Sequence, residues 1–162
     1  MRFRDVRILR VGAVSKDDLL RRLGRTSIRL NDYARALFAD PDFKTSNETQ
    51  DLRLAVVSLP EIGLPNGGRF PDILSAAKNA GLEPCTLEVA PHLRLDYLDQ
   101  PEGPYLTVAS PTFRHEPSTP NGFYLRRLAD GLWLRGYNAA KEHVYAPDFT
   151  DFVFHVPRQS GD

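Results

Sequence analysis

The spacing of apolar residues changes near Pro84, from a repeat of three to four positions to a repeat of two. The first spacing is typical of helices with one buried face, and the second of half-buried strands. Helices are predicted from Ser15 to Leu23, Asp32 to Ala39, Glu48 to Leu59 and Pro71 to about Gly81. Strands are predicted over Val6 to Val14, His92 to Leu98, Tyr105 to Ser110, Gly122 to Leu128, Leu132 to Tyr137 and Phe152 to Val156.

Helices that precede strands, rather than alternate with them, favour an α+β fold. We expect the N-terminal helices to pack on one face of a mainly antiparallel C-terminal sheet, a meander of about five strands. The 162 residues suit a single domain. Within it we expect a basic N-terminal extension (1–28), a helical part (29–82) and the antiparallel sheet (85–157). The strand near Val6 is expected to join that sheet.

Composition is that of an ordinary globular domain, with 41% hydrophobic and 26% charged residues. No apolar run approaches the roughly 20 residues of a membrane helix, so no membrane association is expected. The lone Cys85 excludes an internal disulfide framework and favours a reducing compartment. We therefore expect a soluble, cytoplasmic protein, with Cys85 buried and inert.

Charge is zero overall but is unevenly distributed. Residues 1–30 contain nine basic and three acidic residues, an excess of six positive charges. Such an excess can attract nucleic acid or acidic lipid. An exposed helix face that merely carries arginines would produce the same pattern.

The dipeptide Asp130-Gly131 is the strongest hairpin signal in the chain. A two-residue turn there would place Arg126 opposite Arg135, a repulsive pair that an anion between them would relieve. One face of this hairpin is apolar, and the other is predicted to carry Tyr124, Arg126, Trp133, Arg135 and Tyr137. Interleaved arginines and aromatics can stack bases and hold phosphates. The alternatives are a plain solvent face, or a longer loop with a bulge at Gly131 that shifts the register.

The predicted strand from His92 also places His92, Arg94 and Asp96 on one face. A general base and an anion-holding arginine could be built from this set, although alternation alone produces such triplets on polar faces. The four histidines share no spacing that suits a metal, so no metal site is expected. The loop GLPNGG (63–68) lacks the Gly-Lys-Ser/Thr ending of a phosphate loop, and no cofactor is expected.

The segments LEPCTLEVAPHLRLDYLDQPEG, GFYLRR and LWLRGY resemble a small bacterial family of uncharacterised proteins, some of which are labelled helicase. The resemblance covers about residues 30–156 and implies a bacterial cytosolic protein with no assigned catalytic residues. This chain has no Walker A loop, so helicase activity is not expected from it.

Three hypotheses follow. The first is a non-enzymatic binding or accessory module that recognises an anionic partner, either nucleic acid or an acidic protein segment, through the Arg/aromatic hairpin face. The second is a small enzyme that acts on a phosphorylated or nucleotide substrate with His92, Arg94 and Asp96. The third is a homodimer formed through the aromatic face.

Overall fold

A mixed sheet crosses the middle of the computed structural model, which describes residues 3, 5–111, 120–138, 143–148 and 150–158. The strands are β1 (Asp5–Val11), β2 (Arg29–Leu30), β3 (Gln50–Val57), β4 (Gly68–Arg69), β5 (Tyr105–Val108), β6 (Gly122–Leu128), β7 (Gly131–Tyr137), β8 (Val144–Tyr145) and β9 (Thr150–His155). The helices are α1 (Lys16–Arg25), α2 (Asp32–Ala39), α3 (Phe70–Asn79) and α4 (Val89–Asp96), with a 3₁₀ turn at Pro60–Ile62.

In the described ranges the main sheet has seven strands in the order β1-β3-β9-β5-β6-β7-β2. The α+β class is confirmed, but the five-strand antiparallel meander is wrong. Only β5, β6 and β7 form a meander, while β9 lies parallel to β5 and β2 lies parallel to β7. Strand β9 lies in the interior of the sheet because Phe152, Val153 and Phe154 are all fully buried and need cover on both faces.

Helices lie on both faces of this sheet, not on one as predicted. Leu54 and Val153 point into a core that contains residues of α1, α2 and α4. Their neighbours Ala55, Phe152 and Phe154 point into a second core that contains residues of α3. Successive strand residues face opposite sides, so the two cores lie on opposite faces of the sheet.

The predicted helix from Glu48 to Leu59 is wrong, because this segment is the strand β3. Its apolar residues fit both the helical spacing and the strand spacing. Leu52, Ala55 and Val56 would share one face of a helix. In a strand, Leu54 and Val56 face one side, and Ala55 and Val57 face the other. Strand β3 lies between β1 and β9 and is buried on both faces. A strand that is covered on both faces has a continuous apolar sequence. The spacing of apolar residues alone does not distinguish such a strand from a buried helix.

The predicted strand from His92 to Leu98 is also wrong, because most of it belongs to α4. This helix begins three residues before His92, and Val89, Ala90 and Leu93 enter the core at helical spacing. Pro91 lies in the first turn, where the absent N–H costs nothing.

The described N-terminal residues, from Asp5 onward, are part of the fold. The strand predicted near Val6 is present as β1 and joins the main sheet, where it pairs with β3 along its whole length. Leu9, Val11, Leu19 and Leu23 are buried in the core, so the described part of 1–28 is not an extension outside it. Ser15 caps α1 by accepting a hydrogen bond from the Asp18 N–H at 3.1 Å, as predicted. None of the helices in the described ranges is long and apolar enough to cross a membrane.

Candidate binding surface

The hairpin of β6 and β7 turns at Ala129 and Asp130, one position earlier than predicted. A type I′ turn at Asp130-Gly131 needs positive φ at both residues. Gly131 has a φ of 122°, but Asp130 does not enter that region. The positive φ thus falls on the glycine that follows the turn.

This register changes which side chains face each other. Arg126 lies opposite Trp133, and Tyr124 lies opposite Arg135. The predicted pairing of Arg126 with Arg135 is wrong, so no direct repulsion between them calls for an anion. The shift is two residues in total, so the division of side chains between the two faces is as predicted.

Two further residues share the face of Tyr124, Arg126, Trp133 and Arg135. Strand β2 pairs Arg29 with Trp133. Tyr105, in β5, lies two residues before Thr107, which pairs with Tyr124. We call the following set the Arg–aromatic surface: Arg29, Tyr105, Tyr124, Arg126, Trp133 and Arg135.

Arg126 is held by neutral groups at one end of this surface. Its Nε donates to the Gly103 carbonyl at 2.9 Å, and its Nη1 donates to the Tyr105 hydroxyl at 2.9 Å. Its guanidinium lies 4.1 Å from the centre of the Tyr105 ring. The Tyr105 ring in turn packs on Tyr124, with centroids 5.3 Å apart. These contacts fix the guanidinium without neutralising it.

At the other end of this surface, the side chains contact Trp133. The Arg135 guanidinium lies 4.3 Å from the Trp133 ring and that of Arg29 lies 5.9 Å from it. The indole N–H donates to Asp130 Oδ1 at 2.8 Å, and Asp130 Oδ2 lies 3.9 Å from Arg29. Arg135 donates to the Tyr124 hydroxyl at 3.5 Å, while its buried Nε has no hydrogen-bond acceptor in the described ranges.

Positive charge therefore exceeds negative charge on this surface. It contains three arginines, and Asp130 is the one carboxylate within 4 Å of them among the described residues. Tyr124, Arg126, Trp133 and Arg135 are each partly exposed. A region of the sheet with fixed, unneutralised guanidinium groups can bind an anion.

Tyr137 does not belong to this surface, although its parity in the strand is the same. It is 9% exposed and packs on Phe70 of α3, with ring centroids 6.0 Å apart. Its hydroxyl donates to the Val108 carbonyl at 3.4 Å. Burial raises the pKa of this hydroxyl far above its ordinary value. Tyr137 is a core residue beneath α3.

The other predicted set, His92, Arg94 and Asp96, does not come together. On α4, Arg94 points into the protein and is fully buried, whereas Asp96 is exposed. Asp96 forms a 3.6 Å ion pair with Arg7, and His92 Nε2 accepts a 3.3 Å hydrogen bond from the Gly12 N–H. Burial and, to a smaller extent, Arg22 lower the pKa of His92. The common sheet face that would have joined these three residues does not exist.

Arg94 holds α4 against the hairpin. Its guanidinium donates to Gln100 Oε1 at 2.6 Å, to the Trp133 carbonyl at 3.2 Å and to the Tyr97 carbonyl. Gln100 donates onward to the Leu125 carbonyl at 3.1 Å. Loss of hydration lowers the pKa of Arg94 to about 10, so it stays protonated at neutral pH. These bonds are all internal, which makes Arg94 a structural residue.

Metal and thiol chemistry receive no support from the described geometry. No group of three His, Cys, Asp or Glu side chains there could hold a metal ion. Cys85 is 2% exposed, and burial raises the pKa of its thiol to about 12. The prediction that Cys85 is buried is confirmed, and the raised pKa disfavours the thiolate, which is the reactive form.

The sequence prediction missed Arg29 and Tyr105. Arg29 lies in a two-residue strand, which is too short for a periodic signal. Tyr105 alternates with Thr107 on β5, and this alternation places Tyr105 on the Arg–aromatic surface only when the β5–β6 pairing is known.

Comparison of the chain with protein-family models, with curated proteins and with solved structures gives no match. The family resemblance of residues 30–156 stays a prediction.

Proposed function

We propose that this protein is a non-enzymatic binding module whose Arg–aromatic surface recognises an anionic polymer. The polymer that we propose is single-stranded nucleic acid. The observation that carries the proposal is the arrangement of Arg126 on Tyr105 and Arg135 on Trp133. Each pair is a guanidinium held against a ring, on a sheet face with one nearby carboxylate in the described chain.

Stacking favours nucleic acid over an acidic protein segment. Exposed bases stack on aromatic rings and on guanidinium planes, and this interaction tolerates any base sequence. A carboxylate can pair with the same arginines but has no flat aromatic face to stack on the guanidinium groups that lie over Tyr105 and Trp133. Two stacked pairs on neighbouring strands thus suit a chain of alternating phosphates and bases.

The enzymatic hypothesis has less support because its residues are dispersed. Arg94 is fully buried and its two terminal nitrogens donate to internal acceptors, so it is not available to hold a substrate phosphate. The homodimer hypothesis stays a prediction. The rings of Tyr105 and Trp133 each lie against a guanidinium group, which suits an anionic partner better than an apolar contact between two copies.

The test is fluorescence anisotropy of a labelled single-stranded oligonucleotide as salt is raised from 50 to 200 mM. Phosphate contacts release counterions, so affinity should fall as salt increases. In the double variant Arg126→Gln/Arg135→Gln, two contacts are removed. The slope of log affinity against log salt should become shallower by about 1.4, that is about 0.7 for each contact to a single strand.

Arg53 and Lys78 provide the matched control, because both are exposed and lie away from the Arg–aromatic surface. Arg53→Gln/Lys78→Gln removes the same charge and should leave the slope within error. An abasic oligonucleotide of equal length tests stacking and should bind more weakly. Equal affinity for the abasic strand would show that bases do not stack on the surface. Equal affinity for polyglutamate of equal charge would assign the surface to an acidic partner instead.

A further inference from the structure

A cavity of about 170 Å³ lies on the α4 side of the sheet, where β1, β3, β9 and β5 meet the end of α4. Its apolar lining comes from Val56, Leu93, Leu106 and Val153, with Pro101 and Pro104 from the segment that follows the helix. Leu93, Leu106 and Val153 belong to the core on that side. The cavity is therefore an opening into the core that borders the Arg–aromatic surface at Tyr105.

Its size limits the ligand to about one ring. An apolar cavity of about 150 Å³ can accommodate a benzene molecule. Larger drug-sized ligands occupy pockets of about 300 Å³ or more. The apolar walls of the cavity favour a hydrocarbon ring or a short aliphatic chain.

The charges that line the cavity determine the polar part of the ligand. They belong to Asp5, Arg7 and Asp151. The Arg7 guanidinium is neutralised by Asp96 at 3.6 Å and stacks on the Tyr97 ring at 4.5 Å. Asp5 is exposed, and no salt bridge to it is found within the described ranges. A ligand with a positive group would thus gain a partner, whereas an anionic ligand would meet a cation that already has one.

We infer that this cavity binds a small organic cation, a single apolar ring or chain of similar size with an attached amine that pairs with Asp5. The ring fills the space among Leu93, Leu106 and Val153. The ammonium group remains at the opening, where it keeps part of its hydration. This site does not rest on the proposed function: it shares Tyr105 with the Arg–aromatic surface, but none of the arginines of that surface lines it.

The test is an NMR titration of the whole protein, labelled at its methyl groups, with three ligands of equal size: benzylamine, benzyl alcohol and benzoate. Benzylamine should produce saturable shifts at the Leu93, Leu106 and Val153 methyls, at lower concentration than benzyl alcohol. Benzoate should give the weakest effect. Asp5→Asn should weaken benzylamine binding roughly three- to fivefold, the range of an ion pair open to solvent.

Asp17 supplies the matched control, since it is an exposed carboxylate on α1 that does not line the cavity. Asp17→Asn should leave the benzylamine titration unchanged. Three results would overturn the inference: no saturable shift at these methyls, benzoate binding as tightly as benzylamine, or unchanged affinity in Asp5→Asn. Because the titration contains no nucleic acid, failure here leaves the proposed function unaffected.

Discussion

Arg94 and Arg126 are both arginines without a carboxylate within 4 Å in the described chain, and burial separates their roles. Arg94 is fully buried and donates to three internal oxygens. Arg126 is partly exposed and leaves one side of its guanidinium plane free of the Tyr105 ring. In the sequence, both arginines lie among alternating apolar and polar residues, and this pattern does not show which arginine side chain is buried. Only the packing of α4 distinguishes a structural arginine from one that can bind.

A second single residue, His92, is expected to make the stability of the protein depend on pH. Its Nε2 accepts the Gly12 N–H at 3.3 Å, so the folded state requires the neutral ring. Burial lowers the pKa of His92 below its ordinary value of 6.5, so the unfolded chain binds more protons in the interval between the two values. Stability should therefore be lost as pH falls from about 6.5 through the lowered pKa. Urea unfolding at pH 7.5 and pH 5 measures the loss.

The variant His92→Gln can accept the same hydrogen bond without titrating, so it should lose less stability between these pH values than the wild type. His155 is the control, because its ring lies 3.4 Å from Glu83 and takes no part in the contact with Gly12. His155→Gln should not reduce the loss. An identical pH dependence in His92→Gln and the wild type would show that His92 does not cause it.

At the scale of elements, Asn31 joins α2 to β7. Its Oδ1 accepts from the Ala34 N–H and from the Gly136 N–H, each at 2.8 Å, and its Nδ2 donates to the Gly136 carbonyl at 3.2 Å. The amide side chain thus caps the helix and pairs with the strand as a backbone would. This contact requires a close approach, and Gly136 permits it.

Gly136→Ala should destabilise the protein. A Cβ at this position would lie 2.7 Å from the backbone carbonyl carbon of Tyr33 and 2.8 Å from the Ala34 nitrogen. Forcing α2 away from β7 should cost about 1–3 kcal/mol, the usual cost of overpacking, measured by urea unfolding.

The same substitution at Gly24 is the control. Gly24 lies in α1, and a Cβ there meets no atom within 4 Å. Gly24→Ala should raise stability by about 0.5–1 kcal/mol, because alanine loses less entropy in a helix. Equal effects at the two glycines would mean that the α2–β7 contact is not tight.

Much of the element pattern could be predicted from the sequence. Ser15 and Asn31 cap α1 and α2 as predicted, and Pro71 lies in the first turn of α3. The exceptions have physical reasons. The interior strand β3 is apolar on both faces, so its apolar residues fit a helical spacing as well as a strand spacing. The seven-residue alternation from His92 to Leu98, most of which lies in α4, arises by chance. Helix and strand differ in such segments only through the neighbours that cover them.

For the whole molecule, the position of α3 determines where a binding surface can exist. Residues of α3 cover Phe152, Phe154 and Tyr137, while the Arg–aromatic surface lies on the same side of the sheet towards β2. Strand alternation correctly placed Tyr124, Arg126, Trp133 and Arg135 on one face. It could not assign Tyr137 to the core or add Arg29 and Tyr105, because these depend on contacts between residues far apart in the chain.

The emission of Trp133 provides the most direct test of the proposed binding surface, since it is the only tryptophan of the chain. A base that stacks on the Arg–aromatic surface should quench this emission in a saturable way, with the same midpoint as the anisotropy titration, and 200 mM salt should reverse it. Oligonucleotide binding detected by anisotropy without any change at Trp133, or no binding at low salt, would contradict the account.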